Sequence, residues 1–187
     1  MIRHLFVATL LGAALTVPST VRAEEASLHD FDVVFHDQTG AKTTFAKLDG
    51  QPVLVTMFYG NCAYACPMLV SRMRRLESKV APEHRSKLRM VLVTFDPKRD
   101  TVQALSKLHE AYGLDDRWHF LRVDDAEAVQ ELAALLGVKY RFMPEGTINH
   151  SSVITLLDRS GVVQARMDGM DLPDDTILLP LAPLLAQ

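Results

Sequence analysis

Cys62 and Cys66 are the two cysteines of this chain, separated by three residues and followed directly by Pro67. A close pair of thiols offers three chemistries: a small structural disulfide, electron exchange with another disulfide, or capture of a soft metal. A disulfide across so short a loop removes little entropy from the unfolded chain, which weakens the first. Thioredoxin-type redox pairs have two residues between the cysteines rather than three, which loosens the second without excluding it. The third needs another donor, and the histidines are the first place to look. His29, His36, His84 and His109 read as surface or core residues, and His119, beside Trp118, reads as a packed side chain. His150, in "TINHSSVITLLD", remains. Met68 and Met143 lie near the cysteines or His150 as soft competitors, but the 8 methionines of a chain this apolar read as core filling.

Elements must bring these residues together. Apolar runs at Val53 to Tyr59, Leu88 to Phe95, His119 to Val123, Val153 to Leu157 and Val162 to Met167 predict strands. Helical spacing of Leu69, Met73, Leu76 and Val80 predicts a helix after the cysteines. Val102, Leu105, Leu108 and Tyr112 mark a second helix, and Val129, Leu132 and Leu136 a third. Asp100 with Gln103 predicts a capping box, and Gly113 and Gly137 predict helix ends. "DRSG" predicts a hairpin turn, and "DLPDDTILLPLAPLL" a closing helix broken at Pro180 and Pro183. Alternating strands and helices followed by a hairpin predict an α/β fold, a thioredoxin-like sandwich with a central mixed sheet flanked by helices.

In such a sheet, reactive groups collect where loops leave the carboxyl ends of strands. Cys62 and Cys66 fall in that place, with Pro67 expected as the first helical residue. The positive helix terminus there favours thiolates and makes both sulfurs better nucleophiles and ligands. The loop entering the later hairpin faces the same helix, which puts His150 opposite the pair. Two thiolates and an imidazole suit copper, above all Cu(I) with Cu(II) as a second form, and are one ligand short of a structural zinc.

The N-terminus sets the compartment. Arg3 and His4 precede an apolar run from Leu5 to about Val17, and Val21-Arg22-Ala23 is a small-residue cleavage pattern. Residues 1–23 therefore read as a cleaved secretory signal, and 24–187 as one exported domain without repeats or linkers. The run is shorter than the roughly 20 residues of a spanning helix, so no stable membrane anchor is expected. Loss of Arg3 and Arg22 leaves 18 basic against 23 acidic residues, a net charge of −5, which carries no nucleic-acid footprint. "SRMRRLESK" places Arg72, Arg74 and Arg75 on the helix after the cysteines, read as a solvated face.

Three segments in series, "CAYACP", "FDPKRDT" and "NHS" before a strand ending in "DRSG", carry a resemblance. The chain resembles the Sco/SenC family of thioredoxin-like copper proteins over nearly all of its exported length. The resemblance implies a copper site at Cys62, Cys66 and His150, with the cysteines able to cycle between dithiol and disulfide. It implies as partner a copper-site target protein, a cytochrome c oxidase subunit or another periplasmic copper protein, for a chain that the N-terminal signal directs to the periplasm and that is expected to be a monomer. It offers two roles: a copper chaperone serving the dinuclear centre of that oxidase, or a thiol-disulfide oxidoreductase reducing the cysteines of such a target. Asp96, Arg99 and Asp100 match the family's charged segment beside the site. Where many members have Pro and an acidic residue after the first cysteine, this chain has Ala63 and Tyr64.

Overall fold

The computed structural model describes residues 27–48, 50–62 and 65–186. The expected signal at 1–23, and the departures at Ala63 and Tyr64, lie outside the described residues. A small pair of strands, β1 (Phe35–His36) and β2 (Lys42–Thr43), opens the fold. Then follow β3 (Val53–Phe58), α1 (Ala65–Ser78), β4 (Arg89–Thr94), α2 (Val102–Ala111), β5 (Trp118–Leu121) and α3 (Ala126–Leu136). After these come a short hairpin of β6 (Tyr140–Phe142) and β7 (Ile148–His150), a longer one of β8 (Val153–Leu157) and β9 (Val163–Asp168), and α4 (Asp175–Leu185).

Five strands form one mixed sheet in the order β5-β4-β3-β8-β9. β3 pairs parallel to β4, and β4 parallel to β5, while β8 runs antiparallel to both β3 and β9. The reason lies in the side chains. Every residue of β3 and of β8 is buried, as helix-covered central strands require, whereas β9 alternates and leaves one face open. Two threonines inside this core are satisfied: Thr56 donates to the Val153 carbonyl at 2.7 Å and Thr155 to that of Leu136 at 3.3 Å. At the β5 edge, the Gln38 side chain donates to the Trp118 carbonyl at 3.1 Å and accepts the Phe120 N–H at 2.9 Å, so its amide extends the ladder by one rung.

The mixed sheet flanked by helices is the architecture that the order of elements predicts, with local corrections. β5 begins at Trp118 and ends at Leu121, not at Val123. The expected break in the last helix does not occur, for α4 runs through Pro180 and Pro183. Ile177, Leu181 and Leu185 form a stripe buried against the core, and that burial offsets the roughly 3 kcal/mol an internal proline costs. The second helix starts with Thr101, not Asp100, as its cap, the Thr101 hydroxyl accepting the Ala104 N–H at 3.2 Å. Gly137 ends α3 in a left-handed conformation, φ 75°, as expected. No helix among the described residues is long and apolar enough to cross a membrane.

Candidate metal centre

The carboxyl end of β3 delivers the cysteines. Beyond Phe58 the chain turns, with the Cys62 N–H bonded to the Tyr59 carbonyl at 3.2 Å, and enters α1 at Ala65. Cys66 is thus the second helical residue, and Pro67 the third rather than the first. It still lies in the first turn, where backbone N–H groups have no helical partner and a proline is tolerated. The Cys66 N–H points at the Cys62 sulfur, 3.4 Å away. Cys66 is buried, 4% exposed, while Cys62 is half-buried and reaches the surface.

His150 arrives on the β6–β7 hairpin, where it pairs with Tyr140. Its Nδ1 lies 2.9 Å from the Ser151 carbonyl. A carbonyl only accepts, so Nδ1 carries the proton and Nε2 presents its lone pair. The ring is held between Phe95, with centroids 5.1 Å apart, and the edge of Tyr59, at 6.0 Å. Phe95 in turn stacks on Tyr140 at 4.7 Å, so both strands of the hairpin bear on one buried phenyl group.

Together these elements bring one ligand atom each of Cys62, Cys66 and His150 within 4.8 Å of one another. Two thiolates about 2.3 Å from one ion in a planar three-ligand set stand about 4 Å apart, so the donors match a soft cation after little movement.

A family model described as SCO1/SenC matches residues 21–182. The chain belongs to the SCO1/SenC family. A Stutzerimonas stutzeri protein named for copper binding is 28% identical over 177 residues, covering 84% of each chain. Among solved structures, BsSco, known for a disulfide switch and as a member of the Sco family of cytochrome c oxidase assembly proteins, is 25% identical. It covers 82% of this chain and 91% of its own, with a TM-score of 0.69. Arabidopsis thaliana ScoI with copper bound is 17% identical, covering 88% of this chain and 97% of its own, with a TM-score of 0.69. The fold of this SCO1/SenC chain is therefore thioredoxin-like.

The electrostatics of the SCO1/SenC site set burial against the helix terminus. Burial pushes the Cys66 thiol well above its ordinary range, and the adjacent Cys62 and Asp100 push the same way. Desolvation thus acts on the buried sulfur in the direction opposite to the helix terminus. Burial also raises Tyr59 and Tyr112, and both cysteines raise each of them further.

The charged segment after β4 buttresses rather than binds. Asp100 is buried, and its carboxylate accepts the Gly60 N–H at 2.9 and 3.1 Å and the Thr94 hydroxyl. Desolvation raises its proton affinity, opposed by those hydrogen bonds. Arg99 pairs with Asp96 at 3.2 Å and donates to the Gly146 carbonyl at 2.7 Å, tying this loop to the turn of the His150 hairpin. Met68 projects outward, 53% exposed, on the first turn of α1. Of the three arginines expected on a solvated face, Arg72 and Arg75 meet Asp174, just before α4, at 2.8 and 2.9 Å, where Lys79 joins them at 2.5 Å, and Arg74 donates to the Tyr112 carbonyl.

Tyr59, Phe95, Tyr112 and Tyr140 were missed as parts of the site. Adjacency to the cysteine loop was a usable signal for Tyr59. Tyr112 was visible only as a helix-face residue, and Tyr140 belongs to a hairpin too short to stand out from the sequence.

Proposed function

We propose that this protein binds copper, as Cu(I) and secondarily Cu(II), on Cys62, Cys66 and His150, and delivers it to a copper-site target protein. The observation that carries this reading is the meeting of three soft or borderline donors within 4.8 Å, from the β3–α1 connection with the first turn of α1 and from β7. Three ligands hold a cargo ion yet leave a coordination position through which a partner's ligand can take it. The relative named for copper binding and the Sco structure solved with copper support the same reading. Export to the periplasm by a cleaved signal at 1–23 supplies the setting, and the dinuclear copper centre of cytochrome c oxidase or another periplasmic copper protein supplies the target.

The test is an anaerobic titration of the reduced protein with Cu(I) against a chelator of known affinity, repeated with His150→Ala. Tight one-to-one binding that weakens by at least about tenfold without His150 is expected. Weak binding indifferent to His150 overturns the copper reading.

A second reading is favoured by the unequal exposure of the two sulfurs. In it the half-buried Cys62 attacks a target disulfide, and the buried Cys66 displaces the target's second thiol. The chain's two thiols lose two electrons and two protons to the target, which leaves as a dithiol.

A further inference from the structure

Two clefts adjoin the β6–β7 hairpin that carries His150, and His150 itself lines the second. One, of about 370 Å3, is walled by Phe95, Val129, Tyr140 and Phe142, with Lys98 and Arg99 at its rim. The other, an open cleft of about 400 Å3, is lined by Lys139, Tyr140, Arg141, Asn149 and His150. Alternation along β6 sends Phe142 to the first cleft and Arg141 to the second. Phe142 is 56% exposed although it adjoins an apolar cleft with room for an aromatic ring.

Charge on this face has the opposite sign to the exported chain. Lys98, Lys139 and Arg141 are exposed and make no ion pair among the described residues. Arg99 is paired with Asp96, and Asp124 with Arg122, which leaves Glu145, bonded to Thr147, as the countering acid in the hairpin turn. Lys139 and Arg141 therefore share a cleft with the imidazole and Lys98 lines the neighbouring one, three cations against that one acid, in a chain whose residues 24–187 sum to −5.

We propose that the clefts on both sides of the β6–β7 hairpin form the docking surface for a protein acceptor whose contacting segment carries an aromatic side chain flanked by acidic residues. The ring enters the Phe95–Phe142 cleft, and the acids meet Lys98, Lys139 and Arg141. The inference rests on the copper-transfer reading, because a segment seated there lies against His150 and is placed to receive the ion. Complementary charge raises the rate of encounter and fixes the approach, while the buried ring holds the complex.

The test uses a short dye-labelled peptide, phenylalanine flanked by pairs of glutamates, titrated with the reduced protein and followed by anisotropy. The controls replace the glutamates by lysines or the phenylalanine by alanine. The glutamate–phenylalanine peptide is expected to bind at least about tenfold tighter than either control at low salt, with the advantage shrinking as salt rises. The triple charge reversal Lys98→Glu, Lys139→Glu, Arg141→Glu removes the preference, and Phe142→Ser removes the effect of the ring. Equal binding of the peptides, or a preference that survives charge reversal, overturns the proposal. So does a stronger, reversal-sensitive affinity for phosphatidylserine vesicles or for a second copy of the chain, seen in sedimentation. A Cu(I) titration of the same proteins separates the two readings. Intact Cu(I) affinity without peptide preference overturns the docking surface alone, whereas absent Cu(I) affinity overturns the copper reading and the acceptor with it.

Discussion

The Gly60 N–H is shared between both carboxylate oxygens of Asp100, at 2.9 and 3.1 Å, two residues before the first cysteine. The carboxylate holds the turn that presents Cys62, and the turn leaves no space for a side chain. A Cβ on Gly60 would lie 2.5 Å from Asp100 Oδ1 and 3.0 Å from Leu108 Cδ1.

Gly60→Ala is therefore expected to destabilise the fold by about 1–3 kcal/mol and to weaken Cu(I) binding, as the cysteine turn is pushed outward. Asp100→Asn, which presents an amide to the Gly60 N–H, should weaken Cu(I) binding in the same direction. Chemical denaturation and chelator competition check the pair. Unchanged values for both variants would mean that the contact does not hold the turn.

Cys62 and Cys66 should differ in reactivity. Burial pushes the Cys66 thiol up and shields it, whereas Cys62 reaches the surface. Iodoacetamide near neutral pH should modify Cys62 at least about tenfold faster, read site by site in peptide mass spectra. Equal rates would contradict the buried placement of Cys66.

Phe95 supports His150 and Tyr140 together. Phe95→Ala should cost about 3–5 kcal/mol, as for other large buried rings, and should loosen the imidazole. Urea unfolding gives the first value. Broadened His150 ring signals in proton NMR give the second.

Asp174 should make stability depend on acid. The Lys79 ammonium foremost, then Arg75 and Arg72, hold its carboxyl down at about 2, below its ordinary range near 4. A depressed carboxyl contributes stability fully above its unfolded value, and the contribution is lost as pH falls from about 4 to about 2. Arg75 is 62% and Lys79 45% exposed, so after solvent screening about 1 kcal/mol is expected from this clasp. Asp174→Asn should remove that share of the pH dependence in denaturation curves measured across the window.

The sequence by itself determined the sheet strands, the helices between them and the placement of the cysteines at a strand's carboxyl end. Those features follow from local periodicity: the Val53 to Phe58 run is apolar throughout because both faces of β3 are covered. The meeting of His150 with the cysteines was legible because thioredoxin-like topology brings the entry to the last long hairpin opposite the first long helix.

The tertiary structure decided what local patterns could not carry. Asp100 reads as a helix cap until Gly60, forty residues earlier, supplies its partners and Thr101 takes over the cap. Pro180 and Pro183 read as a break until the buried stripe of α4 is seen against the core. Arg72, Arg74 and Arg75 read as a solvated face until Asp174 closes on Arg72 and Arg75 from a hundred residues away and the Tyr112 carbonyl takes Arg74. The proton on Cys66 followed the same rule. A helix terminus is visible in sequence, but the desolvation that opposes it depends on everything packed around the sulfur.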